Sequence, residues 1–464
     1  MKVRHCAGCR KETCDGCGLW KQIENPKGQE MIFPEGFQRD KGQGLGITFD
    51  VGTTTVAAVL WDLAEGKQLG AVTEVNAQRF AGSDVVSRIV YYEEGPEHAK
   101  QLKTAITKQL DRLAQQVSEG REIQRAVVVG NTAMCQILLG ISLEGLTRAP
   151  FHKGYEGSRI QQGKELGFVF LQHTRLIVLP AIQGFVGADA LAVYTIIKKL
   201  DGRKGILAVD IGTNGEILLF GKEHVYACSA AAGPALEGAV ATQGMGACAG
   251  AIRAVGLAGG FPRQELACQV IGGQKAKGIC GSGLLSALAL LLKLQIIDQN
   301  GYLKSESEAR RDGAPQRICT RIREEEEGRS FLLWEGEKGQ AVRITAADVR
   351  QLQLAIAAIR SGIDLVLEKA ETKKSDLAGI YLAGSFGSSL SAEDAVEIGL
   401  LPEAEGKLVS SIGSAAGMGA CLALFSEKVI REMEEDAGRI LHVELADEKN
   451  FQERFLEAMT LKRR

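Results

Sequence analysis

Apolar and polar positions follow the same local pattern twice along the chain. From Gly44 the sequence GLGITFDVGTTTVAAVLWDL runs as an apolar strand, a glycine turn and a second strand, and from Gly205 the sequence GILAVDIGTNGEILLF repeats that order. The turn aspartates Asp50 and Asp210 lie 160 positions apart. Two such units, each followed by mixed strands and helices, predict a two-lobed α/β protein with a cleft between the lobes.

The patterning also divides the chain into segments. Within the first lobe, helical spacing extends over about 98–119, and a short buried strand begins at Arg125. An insert at about 304–338 in the second lobe contains the charged run 324–327, which we expect to form a solvated hairpin or loop. The predicted segments are a cysteine-rich segment at 1–20, a linker at 21–43, the first lobe at 44–200 and the second lobe at 201–464.

Composition and charge argue against several classes of protein. The 55 basic and 57 acidic side chains give a formal net charge of −2, so a dedicated nucleic-acid binder is not expected. The N-terminus has no apolar signal segment, and the longest apolar run, at 284–292, is too short to span a membrane. We therefore expect a cytoplasmic protein with no membrane partner.

A cysteine cluster occupies the first 17 residues. Cys6, Cys9, Cys14 and Cys17 are spaced C-x2-C-x4-C-x2-C. In a chain with no secretory signal, this pattern favours metal ligands over disulfides. Four thiolates can hold structural zinc or an iron–sulfur cluster, and the spacing is tight for a zinc ribbon.

The two strand–turn–strand units carry candidate phosphate-binding residues. In each unit an apolar strand delivers an aspartate into a turn whose glycine lets a ligand approach the backbone, and polar groups follow as donors. The alternative is a pair of β-hairpins in which Asp-x-Gly serves only the turn. The predicted phosphate cradles consist of Asp50, Gly52, Thr53 and Thr54 in the first unit and Asp210, Gly212, Thr213 and Asn214 in the second.

A third element completes a known order of motifs. The sequence GIYLAGSFGSSL at 379–390 is an apolar strand that runs into a loop of glycine and serine, including Gly384 and Ser385. After two Asp-x-Gly-Thr turns, it resembles the adenosine motif of the acetate and sugar kinase, heat-shock chaperone and actin superfamily (ASKHA). This resemblance, over about 45–425, implies a duplicated ribonuclease-H-like fold in two lobes.

Within that superfamily the chain is similar to the ATPase of the reductive activators of corrinoid proteins. That family returns an inactive Co(II) corrinoid to Co(I) in a partner methyltransferase system. Its better-known members have a 2Fe-2S ferredoxin domain and a further middle domain ahead of the ATPase, and we expect this chain to be too short for either. The similar stretches are NAQRFAGSDVVSRI at Asn76, VVVGNTAM at Val127, LPAIQGFVGADALA at Leu179, AAGPALEGA at Ala231, GICGSGLLSAL at Gly278 and LAGSFG at Leu382.

The resemblance implies roles for particular residues and cofactors. Asp50 and Asp210 would hold Mg²⁺ through water, and Asp189 would orient the water that attacks ATP, with a helix N-cap as the alternative for Asp189. Asn131 is either a cleft residue or a turn former. The cysteine segment would hold one 4Fe-4S cluster. Glycines expected to line the nucleotide site are Gly233, Gly281, Gly283 and Gly384.

The leading hypothesis is therefore an ATP-dependent reductive activator. Its partners would be a corrinoid protein and a low-potential electron donor, and the family resemblance alone suggests a homodimer. One alternative is a small-molecule kinase of the same superfamily, which leaves the four N-terminal cysteines unused. Another is a nucleotide-binding docking or regulatory module with a zinc knuckle.

Overall fold

The computed structural model describes residues 29–30, 33–238, 240–258, 265–273, 275–326, 328–384, 390–403 and 409–463. Cys6, Cys9, Cys14, Cys17 and Ser385, which the sequence analysis singled out, lie outside these residues. Within the described part of the chain, no helix has both the length and the apolar character needed to cross a membrane.

The first lobe is built on a mixed sheet with strand order β1-β4-β3-β2-β5-β7-β6. The buried residues of β2 and β5 are nearly all apolar, as expected for central strands covered on both faces. The strands are β1 (Gln29–Glu30), β2 (Leu45–Val51), β3 (Thr55–Asp62), β4 (Lys67–Val75), β5 (Ile123–Gly130), β6 (Arg159–Gln162) and β7 (Arg175–Val178). The helices are α1 (Val85–Glu93), α2 (Pro96–Val117), α3 (Thr132–Leu139), α4 (Gly163–Leu166) and α5 (Ala188–Leu200).

The second lobe contains a mixed sheet with strand order β18-β17-β8-β9-β10-β19, and β11–β13 and β14–β16 form separate smaller sheets. Its strands are β8 (Ile206–Ile211), β9 (Gly215–Phe220), β10 (Val225–Ala230), β11 (Ala251–Ala258), β12 (Glu265–Val270), β13 (Gly278–Ile279), β14 (Ile322–Glu325), β15 (Gly328–Glu335), β16 (Ala341–Thr345), β17 (Gly379–Ala383), β18 (Val409–Gly413) and β19 (Leu441–His442). Its helices are α6 (Gly281–Lys293), α7 (Glu306–Arg311), α8 (Gln316–Cys319), α9 (Ala346–Lys369), α10 (Ala392–Glu397), α11 (Ala415–Phe425), α12 (Glu427–Ala437) and α13 (Phe451–Ala458).

The two lobes share one central arrangement of strands. In the first lobe β2 pairs antiparallel with β3 and parallel with β5. In the second lobe β8 pairs antiparallel with β9 and parallel with β17. The predicted two-lobed duplicated fold is therefore confirmed, and each Asp-x-Gly-Thr turn joins the antiparallel pair at the same edge of its sheet.

Helices α5 and α11 form the seam between the lobes. Helix α11 follows the last parallel strand of the second lobe, yet it packs against α5 and against β2 and β5 of the first. A glycine permits the close contact, because a Cβ at Gly419 would lie 2.5 Å from the carbonyl oxygen of Ala192. The C-terminal part of the chain thus crosses back and ties the lobes together behind the cleft.

The segments predicted as linker and insert both pack against the lobes. Phe33 and Phe37 stack with ring centroids 4.6 Å apart, and Phe33 contacts Phe425 of α11 edge-on. The charged run lies in the β14–β15 hairpin, where residues 324–326 are exposed as expected. Its second strand, however, buries Phe331 and Leu333 in the core of the second lobe, so the insert is more than a surface loop.

Candidate nucleotide-binding cleft

A cleft of about 410 Å³ lies between the lobes, and both Asp-x-Gly-Thr turns line it. This volume is within the range of about 300–1,000 Å³ that is usual for small-ligand sites. The lining residues are Asp50, Gly52, Thr53, Thr54, Thr55, Ala57, Thr73, Asn131, Asp189, Asp210, Ile211, Gly212, Thr213, Asn214, Glu216, Glu237, Gly384, Gly413, Ser414 and Ala416. The structure thus brings together all eight residues predicted for the phosphate cradles.

Side chains from other elements support the first turn. Asn76 donates from Nδ2 to the carbonyl oxygen of Gly52 at 2.8 Å, and Arg88 donates from Nη2 to the carbonyl oxygen of Thr53 at 2.5 Å. Asn131 donates from Nδ2 to Oγ1 of Thr53 at 3.0 Å. Arg88 is only 1% exposed, so its guanidinium is fixed inside the lobe and holds the turn in place.

The second turn is supported mainly by backbone contacts. The amide of Gly212 donates to the carbonyl oxygen of Asn214 at 2.9 Å and closes the turn on itself. Gly384 follows β17 and lies very close to Asp210. A Cβ at position 384 would be 2.5 Å from Oδ1 of Asp210. Gly384 also has a φ of +81°, which a residue with a side chain rarely adopts. A glycine is therefore required beside Asp210.

Close contacts between side chains across the cleft join the two turns. Oγ1 of Thr54 lies 3.0 Å from Oγ1 of Thr213, which belongs to the other lobe. Glu237, from the loop after β10, accepts from Thr54 at 2.5 Å and from Thr213 at 3.1 Å. One carboxylate thus contacts both threonine hydroxyls.

Carboxyl groups crowd the cleft and repel one another. Burial raises the pKa of Asp50 to about 6. Burial and the charge of Asp50 raise the pKa of Asp189 to about 7, and burial with the charges of Asp189 and Asp50 raises that of Asp210 to about 8. Burial and the charges of Asp189 and Asp210 hold the pKa of Glu216 well above its ordinary value. Bringing a cation into the cleft would relieve this repulsion.

No lysine, arginine or histidine is among the described residues that line the cleft. In the same part of the chain, no group of three or more His, Cys, Asp or Glu side chains is arranged to hold a metal directly. The crowded carboxyl groups would fit a hydrated Mg²⁺ bound through water, because Mg²⁺ usually keeps several of its waters. An anionic nucleotide would need this cation to approach so acidic a surface.

Asp189 and Asn131 both line the cleft. Gly187, not Asp189, is the N-cap of α5, and Asp189 lies in the first turn of that helix. Asn131 is a cleft residue, and its Oδ1 also caps α3 by accepting from the amide of Met134, a role the sequence analysis did not consider. The N-cap alternative for Asp189 is therefore wrong.

Some predicted glycines lie elsewhere. Gly233, Gly281 and Gly283 do not appear in the wall of the cleft. Gly281 and Gly283 begin α6, where a Cβ at Gly283 would lie 2.1 Å from the carbonyl oxygen of Ile252. In this structure Gly283 serves close packing of a helix on β11, and only Gly384 of these glycines reaches the cleft.

Sequence reasoning missed several residues of the site. Glu216 and Glu237 line the cleft, and Arg88 supports the first turn from inside the lobe. Glu216 stands at the end of VDIGTNGE, and Glu237 and Arg88 lie in AAGPALEGA and NAQRFAGSDVVSRI, stretches already singled out. The stretches that contain these residues could be recognised, but the sequence alone did not show which way their side chains point.

The fold and the cleft define a class of protein, namely a two-lobed α/β protein of the ASKHA type with an Asp-x-Gly-Thr turn in each lobe. Residues 204–464 match the model described as the C-terminal domain of RACo, the ASKHA domain, and residues 45–201 match the RACo middle region. The chain belongs to the RACo family. The expectation that it is too short for a middle domain is wrong, because the residues assigned to the first lobe match that region.

Relatives and a solved structure agree with this assignment. The chain is 35% identical over 419 residues to "Corrinoid activation enzyme RamQ" of Eubacterium limosum, covering 89% of this chain and 69% of that protein. It is 28% identical over 393 residues to "[Co(II) methylated amine-specific corrinoid protein] reductase" of Methanosarcina barkeri, covering 78% and 67%. The structure of a "Reductive activator for corrinoid,iron-sulfur protein" matches with a TM-score of 0.80 and 32% identity, covering 91% and 67%.

Proposed function

We propose that the protein is an ATP-hydrolysing reductive activator that transfers a low-potential electron to the Co(II) corrinoid of a partner protein and restores Co(I). The observation that carries this proposal is the cleft in which two phosphate turns face each other across two lobes, in a chain of the RACo family. The names of two relatives, a corrinoid activation enzyme and a corrinoid-protein reductase, support the choice of substrate.

Each group of cleft residues has a role in the proposed reaction. Backbone amides of the two turns and the hydroxyls of Thr54 and Thr213 would bind phosphate, and Asp50 and Asp210 would hold the hydrated Mg²⁺. Asp189 would orient the attacking water and accept its proton, since a pKa of about 7 suits a general base at neutral pH. Bound Mg²⁺ would supply the positive charge that the cleft lacks.

The electron would come from the cysteine segment. Cys6, Cys9, Cys14 and Cys17 lie outside the described residues, and their four thiolates match the donor set of a 4Fe-4S cluster. Such a cluster would supply one electron at low potential. A donor about 200 mV too oxidising faces roughly 5 kcal/mol uphill, which differential binding of the oxidised partner and ATP-driven lobe closure would have to provide.

Metal analysis of the anaerobically purified protein tests the redox part of the proposal. We expect about four irons and four sulfides per chain with matching EPR signals, and loss of both in Cys6→Ser/Cys9→Ser. A Cys248→Ser variant is the matched control, because Cys248 is exposed and outside the segment. One zinc and no iron would refute electron transfer and favour the zinc-knuckle module.

The second experiment follows the corrinoid directly. The protein, chemically reduced, is mixed with a Co(II) corrinoid protein, and Co(I) is detected by its absorbance with and without MgATP. We expect Co(I) only with MgATP, and none with Asp210→Asn. Phosphorylation of a sugar or carboxylate without Co(I) formation would instead support the kinase alternative.

A further inference from the structure

Glu237 contacts the turns of both lobes inside the cleft. It lies on the loop that follows β10, where its neighbours Ala235 and Leu236 are buried in the core of the second lobe. Gly233 and Gly238 on either side have φ values of +72° and +80°, which allow the sharp path of this loop. From this loop the Glu237 side chain extends to Thr54 and Thr213.

The hydrogen bonds of Glu237 use both threonine hydroxyls. Each hydroxyl has one proton to donate. Thr54 donates to Oε2 of Glu237 and Thr213 donates to Oε1, so neither hydroxyl retains a donor for a phosphate oxygen. A phosphate that binds these threonines must first displace the carboxylate.

Displacing the Glu237 carboxylate is unfavourable for a phosphate that has no bound cation. Asp50, Asp189, Asp210 and Glu216 also face the cleft, and no basic side chain among the described residues lines it. A free phosphate would place more negative charge beside the released Glu237. A phosphate bound to a divalent cation brings positive charge that offsets both the phosphate and the freed carboxylate.

We propose that Glu237 is a specificity-determining residue that makes the site accept phosphates only as metal complexes. Its carboxylate occupies the hydroxyls of Thr54 and Thr213 until a metal-bound phosphate displaces it. This inference rests on the proposed binding of nucleotide in the cleft and adds the form of nucleotide that the cleft selects.

Calorimetric titration with the analogue AMPPNP, in excess Mg²⁺ and separately in EDTA, tests this role. In the wild type we expect binding with Mg²⁺ and much weaker binding in EDTA. In Glu237→Gln the metal-free affinity should rise about tenfold or more, equivalent to about 1.4 kcal/mol, because the competing charge is gone. Glu223→Gln, the same change at an exposed site in the β9–β10 hairpin, should leave both affinities unchanged.

Further variants separate this role from others. Glu237→Ala should show the same gain and serves if Glu237→Gln does not fold, as judged by thermal melting. Because Glu237 acts through the hydroxyls, Thr54→Val should abolish the gain when combined with Glu237→Gln.

Metal-free affinity that is unchanged in both Glu237 variants overturns the inference. Weaker binding of the Mg²⁺ complex without tighter metal-free binding would instead make Glu237 a metal-binding residue, and also overturns it. If the wild type binds no AMPPNP even with Mg²⁺, the proposed nucleotide cleft fails, and this inference fails with it.

Discussion

The two Asp-x-Gly-Thr turns have the same sequence pattern but different support. The first turn is held by side chains from three other parts of its lobe, Asn76, Arg88 and Asn131. The second is closed by its own backbone and by the approach of Gly384. Side-chain donors can adjust by rotation, whereas the space beside Asp210 has no room for a Cβ at position 384, so the two copies should respond differently to mutation.

The turns also differ by one residue in register. Val51 pairs with Val56 across the first turn, whereas Ile211 pairs with Gly215 across the second. The first turn is therefore one residue longer. As a result Thr54, rather than Thr53, meets Thr213 across the cleft, while Thr53 turns inward to Asn131. Equivalent positions of the duplicated motif therefore make different contacts in the two lobes.

The largest effect on nucleotide affinity is expected from removing the negative charge of the second turn. Asp210→Asn removes a carboxyl group proposed to hold the cation, and we expect the affinity for Mg·AMPPNP to fall about 100-fold, close to the 3 kcal/mol typical of breaking a buried charged contact. Titration calorimetry gives the affinity. Asp376→Asn, a change of the same type outside the cleft, is the control. Unchanged affinity in Asp210→Asn would contradict the cation role of the second turn.

The pH dependence of stability tests the crowding of carboxyl groups. The pKa of Asp210 is about 8 in the folded protein against an ordinary value of 3.8. A carboxyl group that binds its proton more tightly when folded favours folding at low pH, and this advantage disappears as the pH rises from about 4 to about 8. The melting temperature of metal-free protein should therefore fall over this range.

Asp210→Asn should reduce this pH dependence and raise the metal-free melting temperature at pH 8 by roughly 2 °C or more. Added Mg²⁺ should raise the wild-type value at pH 8 as well, since it compensates the same charges. Thermal melts in EDTA and in Mg²⁺ measure both effects. Equal slopes with pH in the two proteins would show that the carboxyl groups are not crowded.

A smaller effect is expected from the glycine that supports the second turn. Gly384→Ala adds a Cβ at 2.5 Å from Oδ1 of Asp210 and strains a φ of +81°, which costs about 1–2 kcal/mol, so we expect roughly tenfold weaker Mg·AMPPNP binding. Gly313→Ala has the same kind of φ, +94°, with no atom near the added Cβ. It should lower stability without changing affinity. Equal affinities in the two variants would refute the steric role of Gly384.

Local features of the fold and site were predictable, and contacts between distant segments were not. Asp50 and Asp210 could be predicted because each strand–turn–strand unit is encoded by contiguous residues. Glu237 could not, because its role depends on a loop of one lobe reaching a turn of the other. The direction of Arg88 was also hidden, since a polar residue on a helix is usually exposed, and this one is 1% exposed.

The smallest effect is expected from the side-chain support of the first turn. Asn131→Ser should keep a helix cap for α3, because serine is also a good N-cap, but it removes the Nδ2 donor to Thr53. Losing one such hydrogen bond costs about 1 kcal/mol, so Mg·AMPPNP affinity should fall about fivefold.

A double-mutant cycle with Thr53→Val decides whether that loss comes from the Asn131–Thr53 contact. If it does, the second substitution adds little to the first, and the coupling is about 1 kcal/mol. Additive effects would mean that Asn131 acts through the helix and not through the turn. In that case, among the described residues, Asn76 and Arg88 would be left as the side chains that support the first turn, and the contrast with the backbone-supported second turn would be weaker.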